Sequence, residues 1–290
     1  MTPEITPTDD ATLGATVRNV RLDALGDEAF AAIEEAWHAH AVLVFPGQHL
    51  TEEAQVSFSE RFGPLERSLT KTHTQGDPAI IHLSNVKRDG TLWGADSDTG
   101  RLLHGNNFWH TDSSFKRIPA KGSALTARIV PKTGGETAFA DMRAAYDALE
   151  PAMQDWLADK MAVHSYAYSQ GKVGGMGGIT EDEWDSLPPV EQPVIRTHPA
   201  TGRRNLYIGR HASHIVGEDP DESRALLERL CTDACRPPRI FIHKWQEGDL
   251  VLWDNRCVLH RGLGHPPDQP RRMVRTTIAG DGSDANEWVA

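Results

Sequence analysis

From residue 80 onward the chain is a series of short apolar runs cut by Gly, Pro and Asp. Ile80 to Ser84, Ser123 to Val130, Thr137 to Ala140, Val194 to His198, Leu206 to Gly209, Ile240 to His243, Leu250 to Trp253 and Met273 to Ala279 all have strand composition. Short strands separated by turn residues predict an all-β sandwich or barrel. Helical patterns interrupt them at Met142 to Lys160, broken near Pro151, and at Asp221 to Ala234. Nearer the N-terminus, Gly14 to Leu22 alternates apolar and polar like a half-buried strand. Asp27 to His40 carries Phe30, Ile33 and Trp37 on one helical stripe, and Val42 to Phe45 is a buried strand closed by Pro46-Gly47. Thr51 opens a helix that ends at Gly63-Pro64. The expected fold is a mainly β core with flanking helices, a double-sheet jelly roll, in one domain spanning residues 1–290.

Composition narrows the function. The chain has 290 residues, 39% hydrophobic and 24% charged, which predicts a soluble globular protein. No apolar run is long enough for a membrane span, and the acidic, proline-containing start lacks the features of a signal peptide. A cytoplasmic protein with no membrane partner is expected. Lys and Arg total 30 against 41 acids, for a net charge of −11, which disfavours nucleic acid. A local basic pocket would still suit a small anionic organic substrate. Cys231, Cys235 and Cys257 make no disulfide framework and read as small half-buried thiols. Gly171 to Gly178 (GKVGGMGG), followed by Glu181-Asp182-Glu183 and Pro188-Pro189, marks a lid around residues 165–190.

The residues with the most chemistry are Trp109-His110-Thr111-Asp112. On a strand, His110 and Asp112 would point to one face and could bind a single ion. A third ligand must come from elsewhere, and His260, which follows the Trp253-Asp254-Asn255 turn, is the best candidate. Two imidazoles and one carboxylate leave the opposite coordination positions open, as in non-haem Fe(II) oxygenases. The same set could hold Zn, Mn or Co. Arg271 and Arg275 fall on one strand face, and arginine suits a carboxylate held by parallel hydrogen bonds.

Taken in order, FPGQ at Phe45, FGPLE at Phe62, NNFWHTDSSF at Asn106, GGETAFADMRAAYDAL at Gly134, WDNRCVLHR at Trp253 and RRMVRTTIAG at Arg271 resemble the taurine dioxygenase and 2,4-dichlorophenoxyacetate dioxygenase family. LGATV at Leu13, LSNVKRDGT at Leu83, HSYAYSQ at His164 and GRHASHI at Gly209 look closest to its aryloxyalkanoate dioxygenases. The taurine enzymes carry a histidine shortly after the FG turn, where this chain reads Leu65-Glu66-Arg67-Ser68.

The resemblance implies a distorted jelly roll, or double-stranded β-helix, and an enzyme that uses Fe(II), 2-oxoglutarate and O₂. It implies His110, Asp112 and His260 as the catalytic metal ligands. Thr137 and Arg271 would hold the distal carboxylate of 2-oxoglutarate, and Arg275 would lie near its keto-acid end and the substrate's acid group. Asn106, Ser113, Arg210, His211 and Lys71 are the further substrate-binding candidates. The expected reaction hydroxylates an aryloxyalkanoate and cleaves its ether to a phenol and a keto acid or glyoxylate. Relatives form assemblies, so a homo-oligomer is expected, with the Asp221 to Ala234 helix as a candidate contact. Three alternatives stay open: the same chemistry on a sulfonate, sulfate ester or other small organic acid, a jelly-roll binding protein without turnover, and a zinc hydrolase.

Overall fold

The computed structural model describes residues 2–67, 77–174 and 185–282. Its largest sheet has seven strands. In spatial order they are β1 (Glu4–Pro7), β2 (Ala15–Arg18), β3 (Val42–Phe45), β13 (Leu250–Asp254), β5 (Gly122–Ile129), β15 (Arg272–Ile278) and β4 (Ile80–Ser84). A second sheet of β12 (Ile240–His243), β6 (Thr137–Asp141) and β14 (Val258–Gly262) faces it. Beside these lie a three-stranded sheet, β11 (Ala212–Ile215), β7 (Met161–His164) and β8 (Val190–Pro193), and the pair β10 (Arg204–Leu206) and β9 (Ile195–Thr197).

Strand alternation explains the layers. Val42, Val44, Val251, Trp253, Leu125 and Met273 point inward from the large sheet and meet Phe139 and Val258 of the small one. Their strand neighbours Leu43, Phe45, Leu250 and Leu252 point the other way, under the helices α1 (Asp27–His40) and α2 (Glu52–Glu60). Those helices supply Ile33, Trp37 and Phe58. The Thr51 hydroxyl caps α2 by accepting the Ala54 N–H at 3.2 Å. The outer face of the small sheet, Ala140 and Leu259, packs against Met142 and Ala145 of α4 (Met142–Asp147), the next helix along the chain after α3 (Asp98–Gly105). Fully burying a side chain such as Phe45 or Phe139 is worth roughly 1.5–3 kcal/mol, so this layering carries much of the fold.

Most expected elements form within a residue or two of their predicted ends. The 142–160 pattern divides where Pro151 starts a new helix, α5 (Pro151–Leu157), and its last residues lead into β7. The predicted lid region holds a short helix, α6 (Tyr166–Gly171), with Ser169 and Gln170 buried, and β8 at its far end. Residues 175–184 of that region lie outside the described residues. The helix Pro220–Ala234 turns Leu227, Leu230 and Ala234 into the core. Among the described residues, no helix is long and apolar enough to cross a membrane.

Candidate active site

His260 sits on β14, two residues beyond Val258, so its ring faces the interior between the sheets. It lies against Trp253 (ring centroids 4.6 Å apart) and Phe139 (6.3 Å). His110 comes to it by an isolated antiparallel bridge. The His110 N–H donates to His260 O at 3.0 Å, and the His260 N–H donates to His110 O at 2.7 Å. This corrects the expectation that His110 and Asp112 share a regular strand. The chain leaves extended geometry after the bridge, enters a turn at Asp112, and takes a left-handed conformation at Ser113 (φ 58°). The turn brings the carboxylate back toward the two imidazoles. Ligand-type atoms of His110, Asp112 and His260 all lie within 4.8 Å of one another, and all three side chains are buried.

The donor chemistry of this trio fits a divalent metal. His110 Nδ1–H donates to Phe108 O at 2.7 Å, which leaves Nε2 as a bare lone pair. Burial pushes His110 well below the ordinary imidazole range, helped by the neighbouring His260. Burial likewise lowers His260 to about 4. Both rings are therefore neutral at pH 7, the state a metal requires. Burial opposes charge on Asp112, but Arg275 and the two histidines hold it well below the usual carboxylate range. Arg275 Nη1 donates to Asp112 Oδ1 at 2.6 Å, and Ser123 Oγ donates to Oδ2 at 2.7 Å.

Asn255 joins the pieces. Its side-chain oxygen accepts the Asp112 N–H at 3.2 Å and Trp253 Nε1–H at 2.9 Å. Its amide nitrogen donates to Ser123 Oγ at 3.0 Å, and its backbone oxygen accepts the Thr111 hydroxyl at 2.7 Å. The turn carrying Asn255 is pinned by Asp254, which accepts from Arg256 Nη2 at 2.6 Å and His198 Nε2 at 2.9 Å. His198, Asp254 and Cys257 also bring ligand-type atoms together. That carboxylate is already spent on a guanidinium, and burial raises the Cys257 thiol, so the cluster reads as structural.

Two cavities meet at the trio. The first, of about 250 Å³, is lined by Asn85, Asn106, Thr137, His260, Arg271 and Arg275, among others. The Arg271 guanidinium donates to Gly135 O at 3.2 Å and has no carboxylate partner among the described residues. Burial lowers Arg271 only to about 10, so it stays cationic and lacks an anion. Thr137 Oγ1 accepts Trp245 Nε1–H at 3.0 Å, which frees its own hydrogen to donate. Glycine is required at position 135, where φ is +81° and an added Cβ would lie 2.7 Å from Pro131 Cγ.

The second cavity, of about 180 Å³, is lined by Asn106, Asp112, Phe115, Tyr166, Arg210 and His211, among others. Arg210 donates to Gly105 O and, at 3.0 Å, to Ser169 O. It too has no carboxylate partner among the described residues, and burial lowers it to about 10. Ser169 gives its hydrogen to Tyr166 O, so His211 Nδ1 must donate to Ser169 Oγ, at 2.8 Å. Phe115 packs against Tyr166 (4.6 Å) and His211 (4.9 Å), which makes an aromatic wall.

The structure thus brings together nearly all the residues singled out from sequence. Arg271 and Arg275 both reach the first cavity. Ser113 lines the second, but its hydroxyl is taken by Glu66 Oε2 at 2.8 Å, which also accepts from Lys116 Nζ at 2.6 Å. Lys71 lies outside the described residues. Sequence reasoning missed Ser123, Trp245 and Glu66. A serine and a threonine interrupting the apolar run 122–129 were the available signal for Ser123.

Comparison with known proteins agrees with this geometry. The family model described as "Taurine catabolism dioxygenase TauD, TfdA family" matches residues 4–277. The chain is 44% identical to the (S)-phenoxypropionate/alpha-ketoglutarate-dioxygenase of Delftia acidovorans, over 96% of each protein. It is 43% identical to the enzyme of the same name from Sphingobium herbicidovorans, over 94% of this chain and 93% of the relative. Among solved structures, AAD-2 in complex with Mn(II) and N-oxalylglycine superposes with a TM-score of 0.88 at 39% identity, covering 97% of this chain and 98% of that one. The chain belongs to the taurine catabolism dioxygenase TauD, TfdA family.

Proposed function

We propose that this chain is an Fe(II)- and 2-oxoglutarate-dependent dioxygenase that hydroxylates a small aryloxyalkanoate at the carbon bearing the ether oxygen. Bound by His110, Asp112 and His260, Fe(II) with 2-oxoglutarate and O₂ supplies the oxidising power for C–H hydroxylation. One oxygen atom enters the substrate, the other enters succinate, and CO₂ leaves. The hydroxylated carbon then carries both a hydroxyl and an aryloxy group, and it collapses to a phenol and a keto acid or glyoxylate.

The residues divide this work. Arg271 holds the distal carboxylate of 2-oxoglutarate, with Thr137 donating to the same group. Arg275 fixes the Asp112 carboxylate and presents its remaining edge where the two cavities meet. Arg210 receives the substrate carboxylate, and Phe115, Tyr166 and His211 pack the aromatic ring. Aim is the main contribution of the protein, because a misplacement of roughly 1 Å costs about a hundredfold in rate. α6 places Tyr166 and Gln170 in the wall of the second cavity and shields it from water.

One observation carries the substrate assignment: a cationic Arg210, with no carboxylate partner among the described residues, beside an aromatic wall in a cavity lined also by His110 and Asp112. An anionic head and an aryl tail match that pairing. The test compares kcat/KM for (S)- and (R)-2-phenoxypropionate, phenoxyacetate, taurine and an alkyl sulfate, reading succinate and phenol together. A preference for a phenoxy acid, with one phenol per succinate, supports the assignment. A preference for the sulfonate or sulfate reassigns the cavity and keeps the reaction class.

A further inference from the structure

A second cationic hollow lies on the other side of the cosubstrate cavity's wall. It is a groove of about 510 Å³ lined by Glu52, His82, Lys87, Arg88, Arg128 and Arg272, with Ser84 and Val86 between them. Four of these side chains are permanent cations and one is a carboxylate, in a chain whose net charge is −11. Acids are abundant elsewhere on this protein, yet none is ion-paired to Lys87, Arg88, Arg128 or Arg272 among the described residues. Glu52 lies instead 3.7 Å from His82.

The backbone builds this arrangement. Arg272 pairs with Ile129 and Met273 with Ala127, so Arg128 is the extra residue of a β-bulge. Bulges re-aim a side chain out of the regular alternation. Here Arg128 turns into the groove, where Leu50 O and Gln55 Oε1 accept hydrogen bonds from its guanidinium. Burial works most strongly against its charge; Glu52 supports that charge, and Arg272 opposes it less than Glu52 supports it. One carboxylate against four cations leaves the groove net positive, and Arg128 and Arg272 on adjacent strands still repel each other. A dianion that accepts from both removes that repulsion, and bidentate arginine geometry favours phosphate.

We propose that this groove is a binding site for a phosphate-type dianion, either inorganic phosphate or a phosphate monoester. The site is separate from the catalytic cavities but shares a wall with the first. Arg271 and Arg272 are consecutive and line opposite sides, as do Asn85 and its neighbours Ser84 and Val86. Asn85 Oδ1 accepts the Arg271 N–H at 2.8 Å, which ties the two sides together.

The test is isothermal titration of the purified full chain with inorganic phosphate and, separately, with adenosine monophosphate. Both titrations are run with and without saturating 2-oxoglutarate, against NaCl at matched ionic strength. The site predicts saturable binding that survives 2-oxoglutarate and weakens tenfold or more in Arg272→Gln. Arg88→Gln, on an exposed turn, gives the same weakening if Arg272→Gln fails to fold. Tighter binding of the monoester identifies a larger ligand, and equal binding identifies phosphate itself. Binding that 2-oxoglutarate abolishes places the anion at Arg271 and overturns the proposal. So does the absence of saturable heat above the NaCl control, or binding unchanged in both variants.

Discussion

The carboxamide of Asn255 and the carboxylate of Asp112 are closed into one ring through Ser123. Asp112 N–H donates to Asn255 Oδ1, Asn255 Nδ2 donates to Ser123 Oγ, and Ser123 Oγ returns its hydrogen to Asp112 Oδ2. Every member is buried. Trp253, which packs on His260, donates into the same carboxamide oxygen. One side chain thereby orients metal-ligand candidates from two distant parts of the chain.

Asn255→Asp removes the donor to Ser123 and places a second carboxylate beside Asp112. Partners of this kind typically contribute 10–100-fold to metal affinity. The Kd for Mn(II), measured by EPR on metal-free protein, is expected to weaken by about that factor while circular dichroism stays unchanged. Ser123→Ala breaks the same ring, so the double variant should lose little more than either single one. Strictly additive losses, or a Kd within twofold of wild type, would show that the ring does not position Asp112.

Arg271→Gln removes the first-cavity cation that has no carboxylate partner among the described residues. Loss of a charge-assisted, two-point contact costs roughly 2 kcal/mol or more, about thirtyfold in affinity. The dissociation constant for 2-oxoglutarate, followed by tryptophan fluorescence, should rise by at least that much. Mn(II) affinity in the absence of 2-oxoglutarate should hold. A wild-type affinity for 2-oxoglutarate would move the cosubstrate elsewhere.

Arg210→Gln tests the substrate side separately. KM for the phenoxy acid should rise about tenfold or more, with the dissociation constant of 2-oxoglutarate unchanged. Equal loss of both would mean that Arg210 supports the whole site through Gly105 and Ser169 rather than meeting the substrate.

His164 gives the protein an acid-labile stability. It is fully buried, and burial together with the nearby Arg196 lowers it to about 3. Unfolded, it would titrate near the ordinary value of about 6.5. Above that pH both states are neutral and the group contributes nothing. As pH falls below about 6.5 the unfolded chain takes a proton that the folded chain refuses, so stability falls by roughly 1.4 kcal/mol per pH unit for each such histidine. His260, lowered to about 4, acts in the same direction in metal-free protein. Urea unfolding of the metal-free chain should show the midpoint dropping steadily between pH 6.5 and about 4.5. A flat profile would contradict the buried, neutral assignment.

Much of this molecule was legible in its residues. The unbroken apolar runs Val42–Phe45 and Leu250–Trp253 predict strands, and both occur with every residue buried, because core residues above and below leave no polar side. His260 was readable because a strand and a polar turn precede it. The path through His110 to Asp112 was not. Spacing by two suggests one strand, whereas a single bridge and a left-handed Ser113 do the work; the Ser113 hydroxyl donates to Glu66, 47 residues away. Ser123 and Trp245 were similarly hidden, since their partners are fixed only once β5, β6 and the 253–255 turn come together. β7 escaped notice because Met161–His164 directly follows a helical pattern.

If His110, Asp112 and His260 carry an oxidation that consumes 2-oxoglutarate and releases phenol, both products depend on His110. The most direct measurement adds Fe(II), 2-oxoglutarate and ascorbate in air to wild type and to His110→Ala, with (S)-2-phenoxypropionate, and counts succinate and phenol against time. Wild type should give one phenol per succinate, and the variant should lose both products by a factor of at least about a thousand. Phenol release that needs no 2-oxoglutarate, or that survives His110→Ala, would contradict this assignment.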